Sequence, residues 1–267
     1  MDALPLVLSF VFGAIIGSFL NVVSLRFNTG VGIGGRSMCM TCGKTLTWKE
    51  LVPLLSFVYQ KGACKKCKSK ISWQYPLVEF LAGAIFALIF LIYPPISLLT
   101  GFTTLLYVFV SCLLLVISVY DMKHKIIPDS FVYAFGAVAL ISTFIGGSSW
   151  FHAPGIAAVL AGPILALPFA LIWLVSRGKW MGLGDAKLVL GIGWLLGLNG
   201  GANALILAFW IAAAISLIWL FITYKKFKPR TEIPFGPYLI LGLYLVLLFH
   251  IQVLDGHLLK ELITAYI

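Results

Sequence analysis

Only nine acidic residues occur in this chain of 267, and two of them are placed to act together. Asp121 stands in Val119-Tyr120-Asp121-Met122-Lys123 and Asp185 in Gly182-Leu183-Gly184-Asp185-Ala186-Lys187, each at the end of an apolar run. Ionisable groups in or beside such runs are costly, which makes each one a candidate for function. Two carboxyls in contact cannot both ionise easily, so one keeps a proton. The ionised member can draw a proton from water while the neutral member protonates a carbonyl. That is amide hydrolysis without a metal or a nucleophilic side chain. Gly182 and Gly184 would let an extended backbone lie close to Asp185. Taken singly, each aspartate has a plainer role: Asp185 as a helix N-cap, Asp121 as an interfacial anchor paired with a lysine. Other hydrolytic designs are missing, since neither H-E-x-x-H nor G-x-S-x-G occurs and the four histidines lie far apart.

Four of the five cysteines form a second constellation, Cys39-Met-Thr-Cys42 and Cys64-Lys-Lys-Cys67, with 21 residues between the pairs. Two C-x-x-C knuckles at this separation suit one tetrahedral Zn²⁺ held by four thiolates. Such a site leaves no open coordination position, so the metal is structural. Gly43 permits the tight turn that aims backbone N–H groups at sulfur, and Lys44, Lys65, Lys66 and Lys68 offset the negative charge. Cys112 lies within an apolar run and reads as a small buried residue.

The elements that must position these groups are membrane spans. The chain is 61% hydrophobic and 10% charged, with a mean hydropathy of +1.05. A soluble domain is about 45–50% apolar and about 25% charged, so a water-facing globule, a nucleic-acid module and a disordered linker are all excluded. A crossing helix needs about 20 apolar residues. The pattern predicts an all-α polytopic membrane protein with about eight transmembrane helices. They run over about Leu4–Leu25, Pro76–Tyr93, Leu98–Tyr120, Ser130–Ile145, Gly155–Val175, Ala186–Leu198, Ala202–Thr223 and Pro234–Ile251. Asp2, and the lack of Lys or Arg before the first run, argue against a cleaved signal peptide.

The formal charge of +10 then reports orientation rather than nucleic-acid binding. The loop after the first span carries nine basic residues, the loop after span three two, the loop after span five with the start of span six three, and the loop after span seven four. The opposite side has only Lys260, a split of eighteen to one. Positive-inside places both termini outside and the basic loops in the cytoplasm. Asp121, Asp185, Asp129 and Glu79 then lie at the cytoplasmic edge of the membrane. Four segments result: 1–25 as the first span, 26–75 as a cytoplasmic zinc-binding loop, 76–252 as the membrane core, and 253–267 as a tail along the outer interface. No internal repeat is evident.

Together these residues resemble the type IV prepilin peptidase family of GxGD aspartic membrane proteases. Gly182-Leu-Gly-Asp185 resembles the GxGD signature, and Asp121 through Pro128-Asp129 resembles the D-x₆-P-[DN] element that accompanies it. Gly17-Ser-Phe-Leu-Asn21-Val-Val, both C-x-x-C pairs, Pro53-Leu-Leu-Ser56 and Ile71-Ser-x-x-Tyr75-Pro-Leu-Val-Glu79 extend the likeness from residue 10 to about 240. Met40 departs from it, where a proline often follows the first cysteine.

The resemblance implies a bifunctional enzyme of the bacterial inner membrane. Such enzymes cut the leader from type IV prepilins and pseudopilins with the two aspartates. They then methylate the new N-terminal amine with S-adenosylmethionine. The large cytoplasmic loop is associated with methyl transfer in that family. Asn21, Arg26, Tyr75 and Glu79, near that loop, are the methyl-transfer candidates, with helix anchoring as the plainer role. Rival readings are a peptidase without methyl transfer, a transporter using the acids as a proton relay, and a non-enzymatic secretion scaffold.

Overall fold

The computed structural model describes residues 3–30, 32, 34–145, 153–223 and 234–254. The predicted tail beyond 254, the basic run Lys225, Lys226, Lys228 and Arg230, and Lys260 lie outside the described residues. Those that are described form helices and no strand: α1 (Ala3–Arg26), a 3₁₀ turn (Trp48–Glu50), α2 (Leu55–Tyr59), α3 (Gln74–Ile92), α4 (Leu98–His124), α5 (Asp129–Ser142), α6 (Ile156–Ser176), α7 (Leu183–Thr223) and α8 (Gly236–Phe249). Five of these, α1, α3, α4, α6 and α7, are long and apolar enough to cross a membrane. Helices α5 and α8 have 14 residues each, about 21 Å at 1.5 Å per residue, against a hydrocarbon core of about 30 Å. At Gly197 the backbone of α7 leaves the helical region, with φ 72° and ψ −179°. That conformation belongs almost wholly to glycine, and it divides α7 into lengths 183–196 and 198–223.

The chain splits into two compact units, 1–119 and 120–267. In the first, α1 and α3 run antiparallel along a seam of small residues. A Cβ at Gly13 would meet the Ala82 carbonyl at 2.6 Å, and one at Gly17 would lie 2.9 Å from the Glu79 Cα. Close backbone approach through small side chains is how apolar helices associate where lipid competes for every apolar contact.

The loop between α1 and α3 carries a repeat that the sequence reading misses. Cys39-x-x-Cys42 and Cys64-x-x-Cys67 each continue through a Leu or Ile and a Thr or Ser to a tryptophan, Trp48 and Trp73, 25 positions apart. The backbone hydrogen bonds match pair for pair. The Cys39 N–H donates to the Lys44 carbonyl and that of Cys64 to Ser69; Gly43 donates to Cys39 and Lys68 to Cys64; Leu46 donates to Ser37 and Ile71 to Gly62. Isolated bridges join Met38 to Thr45 and Ala63 to Lys70. Gly43 holds φ +67° and Lys68, its counterpart, φ +59°, so the turn does not depend on glycine. The repeat is faint in sequence because the shared feature is backbone geometry with few shared side chains.

In the second unit α7 packs against α5, α6 and α8, again through small residues. A Cβ at Gly193 would meet Gly162 of α6 at 2.7 Å; Gly191 abuts Phe135 of α5, and Gly242 of α8 abuts the Ala204 carbonyl. Pro163 inside α6 has no N–H to give the Val159 carbonyl. The Trp194 indole N–H of α7 donates to that carbonyl instead, at 2.9 Å. The proline is thus tolerated because a neighbouring helix supplies the missing donor.

Candidate active site

The second unit holds both aspartates of the predicted dyad. Asp121 lies near the C-terminal end of α4 and is only 4% exposed. Its Oδ2 accepts a hydrogen bond of 3.1 Å from the Gly236 N–H, the first residue of α8. The donor is one of the free N–H groups of a helix start, where the helix dipole also favours a negative group. Asp185 sits in the first turn of α7, with its own N–H on the Gly182 carbonyl at 3.3 Å. The two aspartates are brought together through one side chain, since Ile127 packs on both Gly184, beside Asp185, and Gly236, which holds Asp121.

Ile127 wedges between the two helix starts. A Cβ at Gly184 would meet the Ile127 Cβ at 2.8 Å; one at Gly236 would meet the Asp121 Oδ2 at 2.7 Å and the Ile127 Cδ1 at 3.3 Å. The space beside Gly184 is taken by Ile127, and only Gly182 leaves room, with Asp185 Oδ2 its nearest neighbour at 3.7 Å. Gly236 and Ile127 are participants that the sequence reading does not name. Their one signal is Gly236-Pro237 opening an apolar run, a helix-start pattern.

Pro128 is the N-cap of α5 with no side-chain cap, and Asp129 follows in the first helical turn. The Asp129 carboxylate accepts from Lys187 at 2.6 Å, and the Lys187 ammonium lies 4.7 Å from the Tyr133 ring centre. Asp129 is therefore tied to α7 two residues beyond Asp185, with 65% of its side chain exposed.

The first unit holds the other candidates. The four sulfurs of Cys39, Cys42, Cys64 and Cys67 lie within 4.8 Å of one another, with 3.8 Å between Cys39 and Cys67. At a Zn–S distance of about 2.3 Å, tetrahedral thiolates stand about 3.8 Å apart, so the quartet fits one zinc ion. Backbone N–H groups of Cys42 and Thr41, with the Ser69 hydroxyl, draw the Cys39 thiol down to about 6. The Lys44 ammonium, 2.7 Å away, and the Thr47 N–H hold the Glu50 carboxyl down near 2. Cys112 is half-buried in α4.

Of the methyl-transfer candidates, three come together and one does not. The Asn21 amide donates from Nδ2 to the Tyr75 carbonyl at 3.2 Å, and Glu79 lies one turn further along α3. Arg26 instead donates to the Gly32 and Gly34 carbonyls at 3.0 and 2.8 Å, tying down the loop that follows α1. The Leu54 N–H donates to Glu79 Oε2 at 2.8 Å, from a residue at φ 61° and ψ −53°. With the Leu55 N–H on the Pro53 carbonyl at 2.6 Å, this is the strained form of γ-turn.

Known proteins match along nearly the whole chain. Residues 11–110 fit the bacterial peptidase A24 N-terminal domain and residues 107–220 the type IV leader peptidase family. A type 4 prepilin-like proteins leader peptide-processing enzyme of Escherichia coli O78:H11 is 33% identical over 92% of this chain and 96% of its own length. Prepilin leader peptidase/N-methyltransferases of Bacillus subtilis and Xanthomonas campestris pv. campestris are 32% and 28% identical. They cover 90% and 92% of this chain and 92% of each relative. No solved structure matches it. With a buried Asp121 and a half-buried Asp185 inside the segment that fits the peptidase family, and relatives aligned over nine-tenths of their length, the chain belongs to the type IV leader peptidase family.

Proposed function

We propose that the chain cleaves the leader from type IV prepilins or pseudopilins at the cytoplasmic face of a bacterial inner membrane and then N-methylates the new terminal residue. The observation that supports the peptidase reading is the packing of Ile127 against both Gly184, next to Asp185, and Gly236, whose N–H holds Asp121, within a chain whose residues 107–220 fit the peptidase family. The ionised carboxylate takes a proton from water as the water oxygen attacks the scissile carbonyl carbon. The neutral carboxyl gives its proton to the carbonyl oxygen. Collapse of the tetrahedral intermediate returns a proton to the amide nitrogen, and the C–N bond breaks.

In this reading the chain has eight spans, with α7 counted as two on either side of Gly197 and both termini outside. Segment 26–75 is the cytoplasmic loop, held by a structural zinc on Cys39, Cys42, Cys64 and Cys67, and segment 76–252 is the membrane core. S-adenosylmethionine supplies a methyl group on a sulfonium, which a neutral amine can take by direct displacement. Asn21, Tyr75 and Glu79 are the residues placed to serve that step, and Arg26 positions the loop beside them. The relatives' names, which join the two activities, support this second half. Incubation of purified protein with a prepilin peptide and S-adenosylmethionine, followed by mass spectrometry, tests both halves. Loss of the leader and gain of one methyl on the new amine are expected. An intact peptide after prolonged incubation overturns the peptidase reading, and a cleaved but unmethylated product overturns the methyltransferase reading.

A further inference from the structure

One carboxylate of the first unit is buried with no cation beside it. Glu79 is 7% exposed, and among the described residues no Lys, Arg or His pairs with it. Its hydrogen-bond partner is a neutral donor, the Leu54 N–H at 2.8 Å from Oε2. A buried charge without a counter-charge is costly. Glu50, the other described carboxylate of this unit, is already matched by Lys44.

A second observation points to the same place. Asn21 is fully buried, its Nδ2 is used by the Tyr75 carbonyl, and its Oδ1 has no hydrogen-bond partner. A buried acceptor left unmatched forfeits its full desolvation cost. Gly17 and Asn21 are one turn apart on α1, as are Tyr75 and Glu79 on α3. Gly17 lies against the Glu79 backbone and Asn21 against that of Tyr75. The orphan oxygen and the uncompensated carboxylate thus share one turn of the same seam. Their complement is a group with positive charge and more than one N–H. Divalent cations of the oxygen-seeking kind take six or more ligands, which two side chains do not supply. A primary ammonium offers three donors and one charge.

We infer that Glu79 and Asn21 form a binding site for a primary ammonium. This rests on the methyl-transfer reading, in which two such groups take part: the amino group of S-adenosylmethionine and the new N-terminal amine of the cleaved substrate. Binding separates them. The full-length protein is titrated with S-adenosylmethionine and its deaminated analogue, and with a precut pilin-type peptide bearing a free or an acetylated N-terminus. The wild type is expected to prefer the amine member of one pair by about tenfold or more, the loss typical of a charged hydrogen bond. Glu79→Gln erases that preference and leaves leader cleavage unchanged; Glu79→Asp, which keeps the charge, retains most of it; Asn21→Ala reduces it.

Preference within the donor pair assigns the site to S-adenosylmethionine, and preference within the peptide pair assigns it to the substrate. No preference in the wild type, an undiminished one in Glu79→Gln, or its complete loss in a folded Glu79→Asp overturns the site. Parallel loss of cleavage and binding in Glu79→Gln does the same, by making the residue a scaffold. A wild type that selects the amine but transfers no methyl sinks the methyltransferase reading and leaves the ammonium site standing.

Discussion

Asp121 and Asp185 are alike in chemistry and different in support, which makes their substitution informative. Asp121 is held from outside its helix by the Gly236 N–H, and Asp185 sits in the first turn of α7. Asparagine keeps the volume and accepts the same hydrogen bond, so a packing or capping role survives it; proton exchange does not. Asp121→Asn and Asp185→Asn are each expected to lower leader cleavage by at least about 10²–10⁴, with expression and membrane insertion intact. Near-normal cleavage by either variant sinks the dyad. Asp129 serves as the control, because its exposed pair with Lys187 belongs to a class worth about 1 kcal/mol or less. Asp129→Asn should cost less than about tenfold, and a severe loss there alone would name a different first aspartate. Gly236→Ala tests the support itself. Its Cβ would fall on Asp121 Oδ2, the mobile end of a side chain, so the carboxylate shifts while the fold holds. Cleavage should fall by an order of magnitude or more, while an overpacking cost of about 1–3 kcal/mol lowers Tm by only about 2–4 °C per kcal/mol and leaves the protein folded. The aspartates were legible in the sequence because acids are scarce in so apolar a chain. Gly236 was not, because a backbone donor leaves no mark on residue type.

The zinc loop was legible as a ligand set and opaque as an architecture. Cysteine spacing fixes a metal's geometry, while the duplicated knuckle lives in hydrogen bonds that Gly43 and Lys68 make alike. One zinc per chain is expected, and less than about a tenth of an equivalent in protein prepared without chelators would refute the site. Replacing one cysteine strands three thiolates and should unfold the loop, since metal binding here is folding energy; methyl transfer should suffer more than cleavage. Glu50 offers a second test of the loop's stability. Lys44, then Thr47, hold its carboxyl near 2 against an ordinary 4.5. A depressed value contributes stability that is complete above 4.5 and is lost as pH falls towards 2. Glu50→Gln should therefore melt below the wild type at pH 7 with zinc stoichiometry unchanged. That gap should hold down to about 4.5 and narrow below it; a gap that widens on acidification overturns the assignment.

At the scale of the whole chain, apolar runs located the helices well, because burial in lipid demands length and apolarity and little else. Their ends were less legible, since capping and breaks depend on single backbone conformations such as that of Gly197. Orientation rests on a different physical signal, the resistance of Lys and Arg to translocation. The eighteen-to-one split of basic residues would be scrambled by a missed or extra crossing, so it tests the span count and direction together. Thr143, at the C-cap of α5, then lies outside, and Lys179, three residues beyond the end of α6, lies inside. A cysteine introduced at 143 should react with a membrane-impermeant thiol reagent in intact cells. One at 179 should react only after the membrane is opened. The two positions flank α6, so the pair also tests whether that helix crosses. Equal labelling of both in intact cells would mean that α6 does not span. Reversed labelling would place Asp121 and Asp185 on the outer face, away from any leader that stays in the cytoplasm, and would remove the basis for the proposed cleavage.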